Sequence, residues 1–153
     1  MKHLTLAFLV TDKAICLALK KRGFGEGLLN GYGGKLEMGE SLTQAACREI
    51  FEESGVQVDQ SALEKVAVHN FIYIKEGEFE VHVYLVKSWQ GDPVETDEMK
   101  PCWYQFSDIP YKEMWPDDEH WLPRVLAGEK LRGAVWFGST GKDITKMEFT
   151  ALE

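Results

Sequence analysis

Half of the chain's 14 glycines fall between Gly23 and Gly39, directly ahead of a well-signposted helix. Glycine at that density means special backbone angles or a backbone that comes very close to something else. A flexible linker would be rich in Ser; this stretch instead carries Phe24, Leu28, Leu29 and Tyr32, so it reads as a long functional loop. Ser41 and Gln44 have capping-box spacing, and Gly55 stands where a helix is closed by glycine, which predicts a helix over residues 42–54.

Strands are expected on both sides of this loop and helix. Residues 3–10 and 14–19 are β-rich runs separated by Thr11-Asp12-Lys13, and Val66–Ile74 and Phe79–Val86 flank the turn Lys75-Glu76-Gly77-Glu78. Phe79, Val81, Val83 and Leu85 alternate with Glu80, His82 and Tyr84, so this strand has two distinct faces. A short strand at 102–106, a short helix from Glu119 to Leu126 and a terminal hairpin, 133–137 and 144–150, complete an α/β pattern. One domain over residues 1–153 is expected, and there is no internal repeat.

Charge and cysteine usage exclude several classes of function. A net charge of −8 gives no basic field for a nucleic-acid backbone, so an anionic ligand must be met locally by a metal ion, by a few Lys or Arg, or by backbone N–H groups. Cys16, Cys47 and Cys102 are odd in number and far apart, and His3, His69, His82 and His120 have no ligand spacing, so neither a zinc site nor a disulfide framework is expected. The apolar run Leu4–Val10 is too short for a membrane span and lacks the cleavage site of a signal peptide, so it reads as a buried strand. These features point to the reducing cytoplasm with no membrane partner, and a monomer is expected.

The helix carries the chemistry. At about 100° per residue, Glu49, Glu52 and Glu53 share one face about 100° wide, and Cys47, Ile50 and Phe51 are left to pack on a core. Arg48 stands one turn before Glu52. Three carboxylates facing a glycine loop suit a hard divalent cation, although on the helix alone a solvated acidic face is the favoured reading. The wider spacing decides between them. Gly34 is followed by Glu40 after five residues and by Arg48-Glu49-Ile50-Phe51-Glu52-Glu53-Ser54-Gly55-Val56 after seven more. A pattern so specified arises by chance in well under about one chain in a million.

That pattern resembles the Nudix box, G-x5-E-x7-R-E-U-x-E-E-x-G-U, with every fixed position present. The resemblance implies an α/β/α sandwich with a mixed central sheet and a loop-helix-loop unit that uses Mg2+, with Mn2+ as a substitute, to hydrolyse a nucleoside diphosphate linked to another group. It makes Glu49, Glu52 and Glu53 the catalytic and metal-binding residues, together with the carbonyl of Gly33, and leaves open which glutamate is the general base. Further segments resemble the MutT-type branch that hydrolyses oxidised purine nucleoside triphosphates such as 8-oxo-dGTP and 2-hydroxy-dATP: Lys20–Gly25, Asn30–Lys35, Asp97–Trp103 and Met114–Asp118. By that resemblance Asn30, Asp117 and Asp118 bond the purine edge, and Trp115 stacks on the base. Thr5, Lys20, Phe24, Tyr32, Gly33, Gly34, Lys35, Met99 and Pro116 belong to the substrate site, and Glu98 is a further metal ligand.

Chemistry supports the same assignments. A planar base wants an aromatic face, and an amide offers both donor and acceptor. Two adjacent carboxylates in an apolar pocket do not both ionise readily, so one of Asp117 and Asp118 would donate a hydrogen bond; the alternative is an ordinary acidic helix start. Leu28-Leu29 and the strands near Phe71, Ile72 and Phe79 depart from the branch pattern, which leaves the pocket floor open. Other Nudix substrates, such as dinucleoside polyphosphates and ADP-ribose, and a non-catalytic nucleotide-binding protein are the competing readings.

Overall fold

The structure, a computed structural model, describes residues 1–153. It is a mixed eight-stranded sheet with one helix on each face. The strands are β1 Lys2–Val10, β2 Ala14–Lys20, β3 Leu29–Asn30, β4 Leu63–Tyr73, β5 Gly77–Val86, β6 Met99–Gln105, β7 Leu131–Phe137 and β8 Ile144–Ala151. The helices are α1 Leu42–Ser54 and α2 Asp118–Leu126. The main path of the sheet runs β3-β2-β1-β5-β4-β7-β8, with β6 paired to β2. No helix is long and apolar enough to cross a membrane.

Alternation along β1 decides which helix each residue meets. Leu6, Phe8 and Val10 join Trp121, Leu122 and Val125 of α2 in one core, whereas Ala7 and Leu9 join Ala46 and Ile50 of α1 in a second. The two strands β1 and β2 pair only at Leu9–Cys16 and Val10–Ile15 and then part. Residues 31–35 run into the opening, with Ala7 and Tyr32 exchanging backbone hydrogen bonds of 2.6 and 2.8 Å.

Helix α1 has the ends its sequence predicts. Ser41 Oγ accepts from the Gln44 N–H at 3.1 Å, Gln44 Oε1 accepts from the Ser41 N–H at 2.9 Å, and Gly55 closes the helix at φ +78°. Its packing face differs from the expected one. Phe51 is 51% exposed and Cys47 only half-buried; the buried stripe is centred on Ala46, Ile50 and Glu53. Small alanines let the helix approach the sheet, and a hydrogen bond from the glycine loop compensates Glu53 for turning inward.

Candidate functional site

The glycine loop touches both β1 and α1. A Cβ on Gly33 would overlap the Thr5 carbonyl, so glycine is required there by close approach and not by an unusual φ, and one on Gly34 would lie 2.6 Å from Glu49 Oε1 and push that carboxylate aside. The Gly33 N–H donates to Glu53 Oε1 at 2.9 Å, while the Gly33 carbonyl accepts no hydrogen bond.

Arg48 organises the carboxylates of α1. Its Nε and Nη2 grip both oxygens of Glu40 at 2.6 and 3.0 Å, and Nη1 donates to Glu49 Oε1 at 2.9 Å and to Glu52 at 3.3 Å. A further hydrogen bond to the Lys35 carbonyl at 3.1 Å ties the hub back to the loop. Glu52 is left half-exposed, whereas Glu49 and Glu53 are turned inward. Burial pushes the Glu53 carboxyl up to about 8 despite the Gly33 N–H, and burial raises Glu49 as well. An oxygen-only donor set with two carboxylates this poorly compensated fits a hard divalent cation.

Glu98, the further metal ligand expected from the sequence, stands at the edge of this cluster. The loop before β6 is latched to the end of α1 by the Val94 N–H to Ser54 O at 2.9 Å and by Thr96 Oγ1 to Glu53 O at 3.1 Å. This brings Glu98 close enough for its charge to raise Glu53, but Arg22 holds its carboxylate at 2.5 Å.

A cleft of about 530 Å³ opens on the α2 side of the sheet. Of the expected substrate residues, Thr5, Lys20, Phe24, Asn30, Gly33, Gly34, Lys35, Met99, Trp115, Asp117 and Asp118 line it. Two do not. Tyr32 is fully buried on the α1 side, its hydroxyl 3.7 Å from Cys16 Sγ, because Gly31 and Gly33 face the cleft and the residue between them in an extended chain must point the other way. Pro116 only shapes the turn into α2. The floor that sequence reasoning left open is supplied by Leu4, Leu6, Leu28, Phe71, Tyr73, Phe79 and Val81; the two-faced pattern of β5 was the available signal for Phe79 and Val81.

Aromatic rings and buried acids meet in this cleft. Trp115 packs at centroid distances of 5.1 Å from Phe24 and 6.2 Å from Tyr73, with the half-exposed Phe24 at the mouth. Asn30 Oδ1 accepts from the Gly31 N–H at 2.9 Å, leaving its amide donors free. Asp117 and Asp118 are 2% and 3% exposed. The Trp121 Nε1–H donates to Asp117 Oδ2 at 2.7 Å, whereas Asp118 Oδ2 is buried without any partner. Burial raises both carboxyls, and the neighbouring Asp117 charge raises Asp118 further. Neither side chain caps α2, so the ordinary helix-start reading does not hold for Asp117.

Comparison with known proteins spans most of the chain. The NUDIX domain model matches residues 1–125. A zebrafish (Danio rerio) protein named oxidized purine nucleoside triphosphate hydrolase is 42% identical over 144 residues, covering 94% of this chain and 90% of that protein. A mouse (Mus musculus) protein of the same name is 40% identical over 134 residues, covering 87% and 85%. Among solved structures, a mutator MutT protein from Bacillus halodurans superposes with a TM-score of 0.83 over 97% of both chains at 22% identity, a likeness of fold.

Proposed function

The chain belongs to the Nudix family of hydrolases, and on that premise we propose that it converts oxidised purine nucleoside triphosphates to monophosphate and pyrophosphate, removing them from the nucleotide pool. The observation that carries this reading is the unpartnered Asp118 oxygen in a cleft that also holds Trp115, Asn30 and the glycine loop of α1. A buried carboxyl kept protonated donates one hydrogen bond and accepts another. Paired with a second buried acid whose charge helps to keep it protonated, it reads a base edge whose donor pattern oxidation has changed.

Lys20 and Lys35 line the same cleft and meet the triphosphate, and the Asn30 amide and the Trp115 ring orient the base. Nudix hydrolases use divalent metal ions. In our reading Mg2+, with Mn2+ as a substitute, is held by Glu49, Glu52, Glu53 and the Gly33 carbonyl, and supplies charge neutralisation on the phosphate oxygens. Arg48 fixes two of those carboxylates, the Gly33 N–H fixes the third, and the group accepts the proton that attacking water gives up. Glu98, which Arg22 holds beside this cluster, is the further ligand of that ion. We take residues 1–153 as one domain acting as a monomer.

The test is release of monophosphate and pyrophosphate from 8-oxo-dGTP, 2-hydroxy-dATP, dGTP, dATP, ADP-ribose and diadenosine tetraphosphate, with and without Mg2+. The expected result is Mg-dependent turnover that favours an oxidised purine over its normal counterpart. Preference for ADP-ribose or the dinucleotide would keep the hydrolase and discard the base pocket. With Glu53→Gln, turnover falls by about 100-fold or more while nucleotide binding survives.

A further inference from the structure

The parallel pairing of β1 with β5 sets His3 beside Glu80 and Thr5 beside His82. Glu80 and His82 share one strand face, opposite to that of Phe79 and Val81 in the cleft. Glu80 Oε1 lies 3.3 Å from His3 Nδ1 and 2.9 Å from His82 Nε2, and the three ligand atoms all fall within 4.8 Å of one another. Nitrogen and oxygen ligands bound tetrahedrally at about 2.0–2.1 Å stand about 3.3 Å apart. This cluster therefore needs only small side-chain adjustments to surround an ion. We propose that His3, Glu80 and His82 bind a divalent transition-metal ion, zinc first among them, at a site separate from the carboxylates of α1 and independent of the reaction proposed above.

The donor set separates this site from the other. Two imidazoles and one carboxylate suit zinc and its neighbours, whereas Mg2+ prefers oxygen alone. His82 is buried and its ring is held by Glu80, while the half-exposed His3 leaves the fourth position to water. Lys65 Nζ lies 2.9 Å from His82 Nδ1, so in the metal-free protein Nδ1 accepts from Lys65 and the Nε2–H donates to Glu80. An ion takes the place of that Nε2 proton, the ring proton moves to Nδ1, and the Lys65 ammonium turns out to solvent. Lys65 is thus the group that opposes binding, and the bound ion would fasten the start of β1, which carries Leu4 and Thr5 into the cleft, to β5.

The site is tested by titrating metal-free protein with Co2+ in excess Mg2+, so that the oxygen-only cluster is already filled, and by zinc competition against a chromophoric chelator. One equivalent of Co2+ with the strong visible absorption of a four-coordinate, nitrogen-ligated ion is expected, and zinc should displace it. Affinity should fall by about tenfold or more in His3→Gln and in His82→Gln. It should rise in Lys65→Gln, where an amide oxygen accepts the Nδ1–H. Because His82 is buried, the exposed His3→Gln variant, checked by circular dichroism, decides if His82→Gln fails to fold. Equal Co2+ affinity in wild type and His3→Gln, or loss of the absorption in excess Mg2+, would overturn the proposal.

Discussion

At the scale of single residues, the site depends on atoms that leave no room for substitution. Gly33 and Gly34 are held between the Thr5 carbonyl and the Glu49 carboxylate, so Gly33→Ala must displace the β1 backbone. The expected cost is about 3 kcal/mol or more, against about 1–2 kcal/mol for Gly39→Ser, where the space is open and only the φ of +81° opposes a side chain, read by chemical denaturation. Asp117 and Asp118 give the reverse result. Their carboxyls are raised above the unfolded value, so their contribution is fully present at low pH and is lost as pH rises above the ordinary carboxylate range through the raised values. Asp118→Asn, which needs no proton to stay neutral, should melt about 5 °C higher than wild type at neutral pH and lose that advantage near pH 4. Asp117→Ala should weaken substrate binding by about tenfold or more and blunt the preference for the oxidised base, as binding and competition assays would show.

At the scale of elements, α1 combines a conventional scaffold with an unusual burden. Ser41→Ala removes half the capping box and should cost about 1 kcal/mol with little change in KM. Arg48→Lys keeps the charge but cannot span Glu40, Glu49 and Glu52 together, so kcat should fall by about tenfold or more at nearly normal stability. Much of this was legible in the sequence because it is local: the helix ends, the strand alternation and the spacing from Gly34 to Gly55 are all short-range patterns. What escaped was long-range or rotational. Helical angles alone placed Phe51 inward, because nothing in them says that a loop N–H will draw Glu53 toward the sheet. Tyr32 sits in a motif of cleft residues but points away from the cleft, and Glu98 finds Arg22, 76 residues away in sequence.

At the scale of the whole molecule, the sheet separates two cores, and the cleft opens where β1 and β2 part and admit the glycine loop. Metal should therefore stabilise the fold as well as the site. Mg2+ at about 100 times its dissociation constant should add about 2.7 kcal/mol, seen as a rise in melting temperature that EDTA reverses. Glu53→Gln should melt above metal-free wild type, having lost a poorly compensated buried acid, and should no longer respond to Mg2+. The route of the chain has a further consequence. The groups assigned to the phosphates come from residues 20–53, whereas Trp115, Asp117 and Asp118 arrive on a separate strap that enters α2 and is held from beneath by Trp121. On the assignment proposed above, base recognition is thus written largely apart from hydrolysis, with Asn30 the base-reading residue that lies within the phosphate stretch. Taste for a new base can be acquired by editing a handful of consecutive codons, with the cutting apparatus inherited intact.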